Sequence, residues 1–176
     1  MTDAEFREAY QQNKDVLYRY ARRMFGSPSE AEDIVQDVFI ELWRGASRFN
    51  PRRGSLRSFL IGIASNLIRR RLRRDRPYDE LAEDTRLCGP VDLAGLERTE
   101  MIARAVAALP PRQRETLILA EYEEMPLAEI ACATHANLPA VKSRLYRARE
   151  NLRRILAPLL QTKTVAHGTD ERSSTE

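Results

Sequence analysis

Apolar positions recur every three or four residues along most of this chain, the spacing of one face of an α-helix. Phe6, Tyr10, Leu17, Tyr20 and Met24 fall on one side of an N-terminal helix, opened by Thr2 with Glu5 three residues later in a capping-box pattern. Gly26-Ser27-Pro28-Ser29 interrupts it. A second helix, with Ser29 as its expected cap, gathers Ile34, Val35, Val38, Phe39 and Leu42 on its apolar face. After a loop over 50–55, a third helix turns Leu56, Phe59, Leu60, Ile63 and Leu67 inward and runs into an arginine-rich stretch over 69–76. Pro77 is placed to end it.

Between 77 and 95 the periodicity is lost, and Pro77, Gly89, Pro90 and Gly95 mark a linker. Helical spacing returns with Met101, Ile102, Ala105, Val106 and Leu109, and Pro110-Pro111 forces a corner. Short helices then fit over 112–122, 127–134 and 138–157, and the polar tail from Gln161 to Glu176 is expected to be disordered. There is no internal repeat and no period-two alternation. The pattern therefore predicts an all-α protein with two small helical domains joined by a flexible linker. The expected boundaries are 1–76, an acidic linker 77–95, a second domain 96–160 and a tail 161–176.

The C-terminal pattern has finer detail. Leu127-Ala-Glu-Ile-Ala131 is a short helix with small residues, and Thr134-His135-Ala136 has the length of a tight turn. His135 falls where that turn wants a left-handed residue. Asn137 can cap the next helix, with Pro139 in its first turn, where a missing N–H costs nothing. The second helix is expected to turn Val141, Leu145 and Ala148 inward and to expose Ala140, Lys142, Ser143, Arg144 and Arg147. This is a helix-turn-helix pattern, whose second helix lies in the major groove of DNA. A plain helical hairpin with a solvated basic face is the bland alternative.

Charge sharpens the picture because it is segregated. Residues 28–42 hold five acids and no base, and residues 44–76 hold eleven arginines and one acid. Residues 75–100 hold eight acids against three arginines, and residues 142–154 hold six bases and one acid. The net charge of +3 averages over these blocks. Two basic blocks separated by acidic ones suggest two anion-binding surfaces, and nucleic acid is the obvious long anion. Two arginines at a helix end could simply favour its dipole, but five in Arg69-Arg-Arg-Leu-Arg-Arg74 exceed that need.

Other chemistry finds little support. Cys88 and Cys132 lie 44 positions apart outside any metal-ligand spacing, and the histidines are His135 and His167. No metal and no cofactor is expected, and neither a phosphate loop nor a Ser/His/Asp set is present, so no catalytic residue is assigned. Two thiols without a disulfide framework suit a reducing compartment. No apolar run approaches the ~18 residues that span a membrane, so no membrane insertion is expected. The polar N-terminus does not read as a signal peptide, and a cytoplasmic location is expected.

Three segments carry a family resemblance. Ala31-Glu-Asp-Ile-Val-Gln-Asp-Val-Phe-Ile-Glu-Leu-Trp43 resembles the polymerase-binding helix of extracytoplasmic-function (ECF) RNA polymerase sigma factors. Arg48-Phe-Asn-Pro-Arg-Arg-Gly-Ser-Leu-Arg-Ser-Phe-Leu60, with Ile63 to Arg74, resembles their promoter −10 segment. Ala108-Leu-Pro-Pro-Arg-Gln-Arg-Glu115, Ala128-Glu-Ile-Ala131 and Val141 to Glu150 resemble their −35-binding domain. The order spans about residues 6–157. Two positions depart from the family: Thr134-His135-Ala136 stands where Leu-Gly-Ile is common, and Pro139 where a small residue is.

The resemblance implies a non-enzymatic transcription factor that binds core RNA polymerase through its β and β′ subunits. It implies that Asp33, Gln36, Asp37 and Phe39 dock on the β′ coiled coil. Phe49 and Asn66 would read the melted −10 strand, with Arg69, Arg70 and Arg73 gripping phosphates nearby. Lys142, Ser143 and Arg144 would read the −35 duplex, and the exposed-face pattern adds Ala140 and Arg147 to the same surface. An anti-sigma factor is a further implied partner. Two rivals remain: a sigma mimic that binds an anti-sigma factor without touching DNA, and a free-standing helix-turn-helix regulator. The abundant arginines count against the first, and the acidic helix with the basic −10 segment against the second.

Overall fold

The computed structural model describes residues 2–45, 48–75, 92–93 and 95–165. These form α1 (Asp3–Phe25), α2 (Pro28–Gly45), a single 3₁₀ turn at Pro51–Arg53, α3 (Leu56–Asp75) and α4 (Arg98–Ala107). Next come α5 (Pro111–Leu117), continued by a wide π turn over Ile118–Tyr122, then α6 (Leu127–Thr134) and α7 (Leu138–Val165). No strand occurs among the described residues.

Local chemistry explains the helix ends. Thr2 and Glu5 form the expected capping box, with the Thr2 N–H donating to Glu5 at 2.6 Å. Gly26 closes α1 in a left-handed conformation, φ 79°, and its N–H donates to the Arg22 carbonyl. The cap of α2 is Ser27, not Ser29: its hydroxyl accepts from the Glu30 N–H at 3.4 Å. The helix starts at Pro28, whose fixed φ suits a first turn and which has no N–H to leave unpaired. Ser55 caps α3 in the same way, accepting from the Ser58 N–H at 3.1 Å.

The expected inward face of α3 proves too narrow. Leu60, Ile61, Ala64 and Ile68 are completely buried, while Leu56, Phe59, Ile63 and Leu67 are only partly so. A single-stripe reading assumes one covered side, but α3 packs against α1 and α2 on one side and α6 on another. The N-terminal unit (α1–α3) and the C-terminal unit (α4–α7) thus touch directly. One contiguous apolar cluster runs from Leu17, Tyr20 and Met24 through Leu60 and Ile61 to Leu109, Ile118 and Ile130.

The C-terminal end also differs from expectation. Leu152, Ile155, Leu156 and Leu159 keep the three-and-four spacing, so α7 runs on to Val165 and takes in residues 161–165 of the expected tail. Residues 166–176 lie outside the described residues. So does most of the expected linker, except for residues 92–93 and 95, among which Leu93 is buried.

Candidate nucleic-acid interface

The turn between α6 and α7 has the geometry a helix-turn-helix needs. His135 adopts φ 54° and ψ 37°, the left-handed conformation expected of it. The Ala136 N–H donates back to the Ala131 carbonyl at 3.0 Å, which closes the end of α6. Asn137 accepts from the Ala140 N–H at 2.8 Å, so α7 begins capped as expected, with Pro139 in its first turn. Val141, Leu145 and Ala148 are buried.

Lys142, Ser143 and Arg147 face solvent, whereas Ala140 and Arg144 are half-buried and not exposed as expected. Each of those two precedes a buried residue, Val141 or Leu145, so each sits at the margin of the packed stripe. Tyr146, 67% exposed, lies in the same outward stretch and was not singled out from the sequence. An aromatic at helical spacing ordinarily signals core, which conceals such a residue.

The N-terminal residues are grouped around a cleft of about 570 Å³ between α3 and α6. Phe49 and Asn66 line it, and Ala131, Cys132 and His135 form its other wall. Phe49 packs on Phe59 with ring centroids 5.5 Å apart. Asn66 accepts from the Arg69 guanidinium at 2.6 Å, and Arg69 also donates to the Ser65 carbonyl at 3.3 Å. Arg70 and Arg73 are exposed further along α3.

On α2, Asp33 and Gln36 are exposed and Asp37 is half-buried. Arg71 joins this face to α3: it reaches Asp37 at 2.9 Å and Asp33 at 3.7 Å. From the sequence Arg71 was one more arginine in a run; only the packing of α2 on α3 singles it out. Phe39 lies beneath the surface, 4% exposed, against Phe6 and Tyr10. It forms the floor of a groove of about 810 Å³ between α1 and α2, where Trp43 is 56% exposed. Among the described residues no group of His, Cys, Asp or Glu could hold a metal ion, and no helix is long and apolar enough to cross a membrane.

Comparison with known proteins gives this arrangement a family. Residues 9–78 match Sigma-70 region 2, and residues 99–152 match Sigma-70, region 4. The ECF RNA polymerase sigma factor SigW of Bacillus subtilis is 31% identical over 163 residues, covering 83% of this chain and 86% of that protein. This chain belongs to the ECF RNA polymerase sigma factors. SigK of Mycolicibacterium vanbaalenii is 29% identical over 171 residues, covering 88% of this chain and 83% of that one. Two solved structures share the fold. The Bartonella quintana sigma factor RpoE, crystallised with the anti-sigma factor NepR, superposes with a TM-score of 0.69 at 21% identity, covering 87% of this chain and 97% of that one. CnrH, in complex with the cytosolic domain of CnrY, gives 0.67 at 24%, covering 89% and 90%. The chain is therefore an alternative sigma factor, which binds core RNA polymerase and directs initiation at promoters.

In this sigma factor the two units meet through buried polar groups that sequence reasoning missed. The Glu115 carboxylate, on α5, accepts from the Tyr20 hydroxyl at 2.7 Å and from the Ser65 hydroxyl at 2.5 Å. Burial, then the Glu115 charge and hydrogen bond, push the Tyr20 phenol well above its ordinary pKa. Arg114 donates to the Met24 carbonyl at 2.7 Å and the Leu109 carbonyl at 3.1 Å, and also to that of Ala107. Glu123, at the end of the π turn, meets Arg19 at 2.9 Å, Arg23 at 3.4 Å and Arg57 at 3.7 Å. The hydrogen bond to Glu123 raises the Arg19 pKa. The signal in the sequence was a set of acids inside an apolar stretch, since buried acids need partners.

Proposed function

We propose that this sigma factor divides promoter recognition between its units through the residues inferred from its sequence. The α7 residues Lys142, Ser143, Arg144 and Arg147, with Ala140 at the margin, read the −35 duplex in the major groove. Phe49 and Asn66 take the melted −10 strand, the aromatic by stacking and the amide by hydrogen bonds to a base edge. Arg69, Arg70 and Arg73 hold phosphates beside it. The Asp33, Gln36 and Asp37 face of α2 docks on a basic surface of the polymerase, with Phe39 supporting it from below. The units correspond to residues 1–76 and 96–160, joined by the acidic linker 77–95.

The observation that carries this reading is the capped, left-handed turn at His135, which presents α7 with Lys142, Ser143 and Arg147 outward. The protein catalyses nothing itself; its work is binding energy directed at an opened strand that duplex DNA does not offer. It acts in the cytoplasm, and an anti-sigma factor is its expected regulator. Run-off transcription with purified core polymerase on candidate promoters tests the reading. Promoter-specific product that depends on the chain supports it. A chain that bound an anti-sigma factor but yielded no transcript from any promoter would favour the mimic.

A further inference from the structure

Three arginines of the N-terminal unit converge on one carboxylate of the C-terminal unit. The Glu123 side chain is 0% exposed, whereas those of Arg19, Arg23 and Arg57 retain 46%, 33% and 41%. Arg57 grips it twice over, donating also to the Glu123 carbonyl at 2.7 Å. Three guanidinium groups around one carboxylate leave a surplus of positive charge, more than is needed to hold a single Glu. The three arginines belong wholly to α1 and α3, so they stay with the N-terminal unit when the units part, whereas the Glu123 carboxylate and carbonyl and the Tyr122 ring, whose centroid lies 4.4 Å from the Arg23 guanidinium, leave with the other.

The cluster's position points to the anion that would replace it. Arg57 stands in the first turn of α3, beside Ser58, and Ser58 lines the same cleft as Phe49 and Asn66. The Ser58 hydroxyl is engaged by a second acid of the C-terminal unit, Glu129. The C-terminal unit thus sets one carboxylate on three guanidinium groups and a second on a hydroxyl that lines the cleft of the −10 residues, the same donor types that hold DNA phosphates. We propose that Arg19, Arg23 and Arg57 form a binding site for a phosphodiester of promoter DNA, and that Glu123 fills this site when the units are packed together. Closure and DNA binding on this face are then alternatives. The inference rests on the reading that the N-terminal unit takes the melted −10 strand.

Gly62 supplies an independent way to part the units. A Cβ at this position would lie 3.2 Å from the Ala133 carbonyl oxygen of α6, so a larger side chain must push α6 away without altering any charge. Phosphate contacts carry no sequence information, so labelled oligothymidylate serves as the probe for the full chain by fluorescence anisotropy. A competitor that keeps the site about nine-tenths filled lowers apparent affinity about tenfold. Glu123→Gln and Gly62→Leu should each tighten binding by about that factor. Adding Arg19→Ala and Arg57→Ala to Glu123→Gln should cancel the gain and flatten the salt dependence by about 0.7 in log–log slope for each phosphate no longer held. Circular dichroism checks that each variant is folded, and should one fail, the other still decides. Binding unchanged in the folded variants overturns the proposal, as does a gain that survives removal of the arginines. Wild-type run-off transcription runs alongside. If it is normal while the variants bind as wild type does, this inference alone fails; if it is absent, the broader functional reading fails.

Discussion

Arg114 offers a sharp test of how the two units hold together. It is 8% exposed, and its guanidinium serves the carbonyl ends of two helices at once. One is the last turn of α1, through Met24; the other is the end of α4, through Ala107 and the following Leu109. Helix C-termini carry unpaired carbonyls and partial negative charge, so a cation there satisfies both needs. Arg114→Met keeps the length and apolar stem of the side chain and removes the donors. A hydrogen bond with a charged partner contributes about 1.5–3 kcal/mol net, so the Met24 and Leu109 bonds together represent about 3–6 kcal/mol. Burying methionine in place of a guanidinium offsets part of this, since the charged group is expensive to desolvate. The expected loss is about 3 kcal/mol, a large share of the roughly 5–15 kcal/mol of a native protein. Urea denaturation followed by circular dichroism measures it, and the midpoint of thermal unfolding should fall by about 6–12 °C. Arg114→Lys should lose about half as much, because an ammonium keeps the charge but lacks the fork that spans separate carbonyls. A loss under about 1 kcal/mol for Arg114→Met would refute the reasoning, since the helix ends would then be satisfied without the guanidinium.

Three further outcomes are expected. Asp33→Lys with Asp37→Lys should abolish capture of core polymerase in a pull-down; stability should fall by no more than about 1 kcal/mol, because the ion pairs to Arg71 are partly exposed. Arg144→Ala should lower transcription from −35-dependent promoters by about 1–3 kcal/mol, with altered preference at one base position, measured on a −35 variant series. The third concerns Tyr20, whose pKa is raised in the fold, so the folded chain holds a proton that the unfolded chain releases above about pH 10. The stability it contributes is present in full below that pH and is lost as pH rises further, by up to about 1.4 kcal/mol per pH unit. Urea denaturation across that range should show a shallower decline for Tyr20→Phe than for wild type.

The legibility of the chain follows the range of the interactions concerned. Thr2 with Glu5, Asn137 with Ala140, and the left-handed His135 could be read because each involves residues a few positions apart. The cap of α2 was misplaced by two residues because Ser27 and Ser29 flank Pro28 and satisfy the same pattern; the proline decides, as it takes the first helical position. The inward face of α3 was drawn too narrow because its second covered side belongs to α6, about seventy residues away. For the same reason Glu115, Glu123 and Arg114 escaped notice as a set: the partners they reach in the N-terminal unit lie 50 to 104 positions away in sequence. Blocks of charge were visible from the start, yet which arginine meets which acid was not, as Arg71 with Asp37 shows.

The shared apolar cluster has a consequence for the life of the chain between rounds of transcription. Leu109, Ile118 and Ile130 rest in the same interior as Leu17, Tyr20 and Leu60, so parting the units bares greasy faces on both. Surfaces of that kind attract other chains and proteases. An opened molecule therefore has a short safe lifetime in a crowded cell unless something covers it. A partner that held the units apart would also act as their shelter, and a molecule it released must fold back on itself or be captured and destroyed. The amount of factor a cell keeps would then be tied to the amount of such a partner free to receive it.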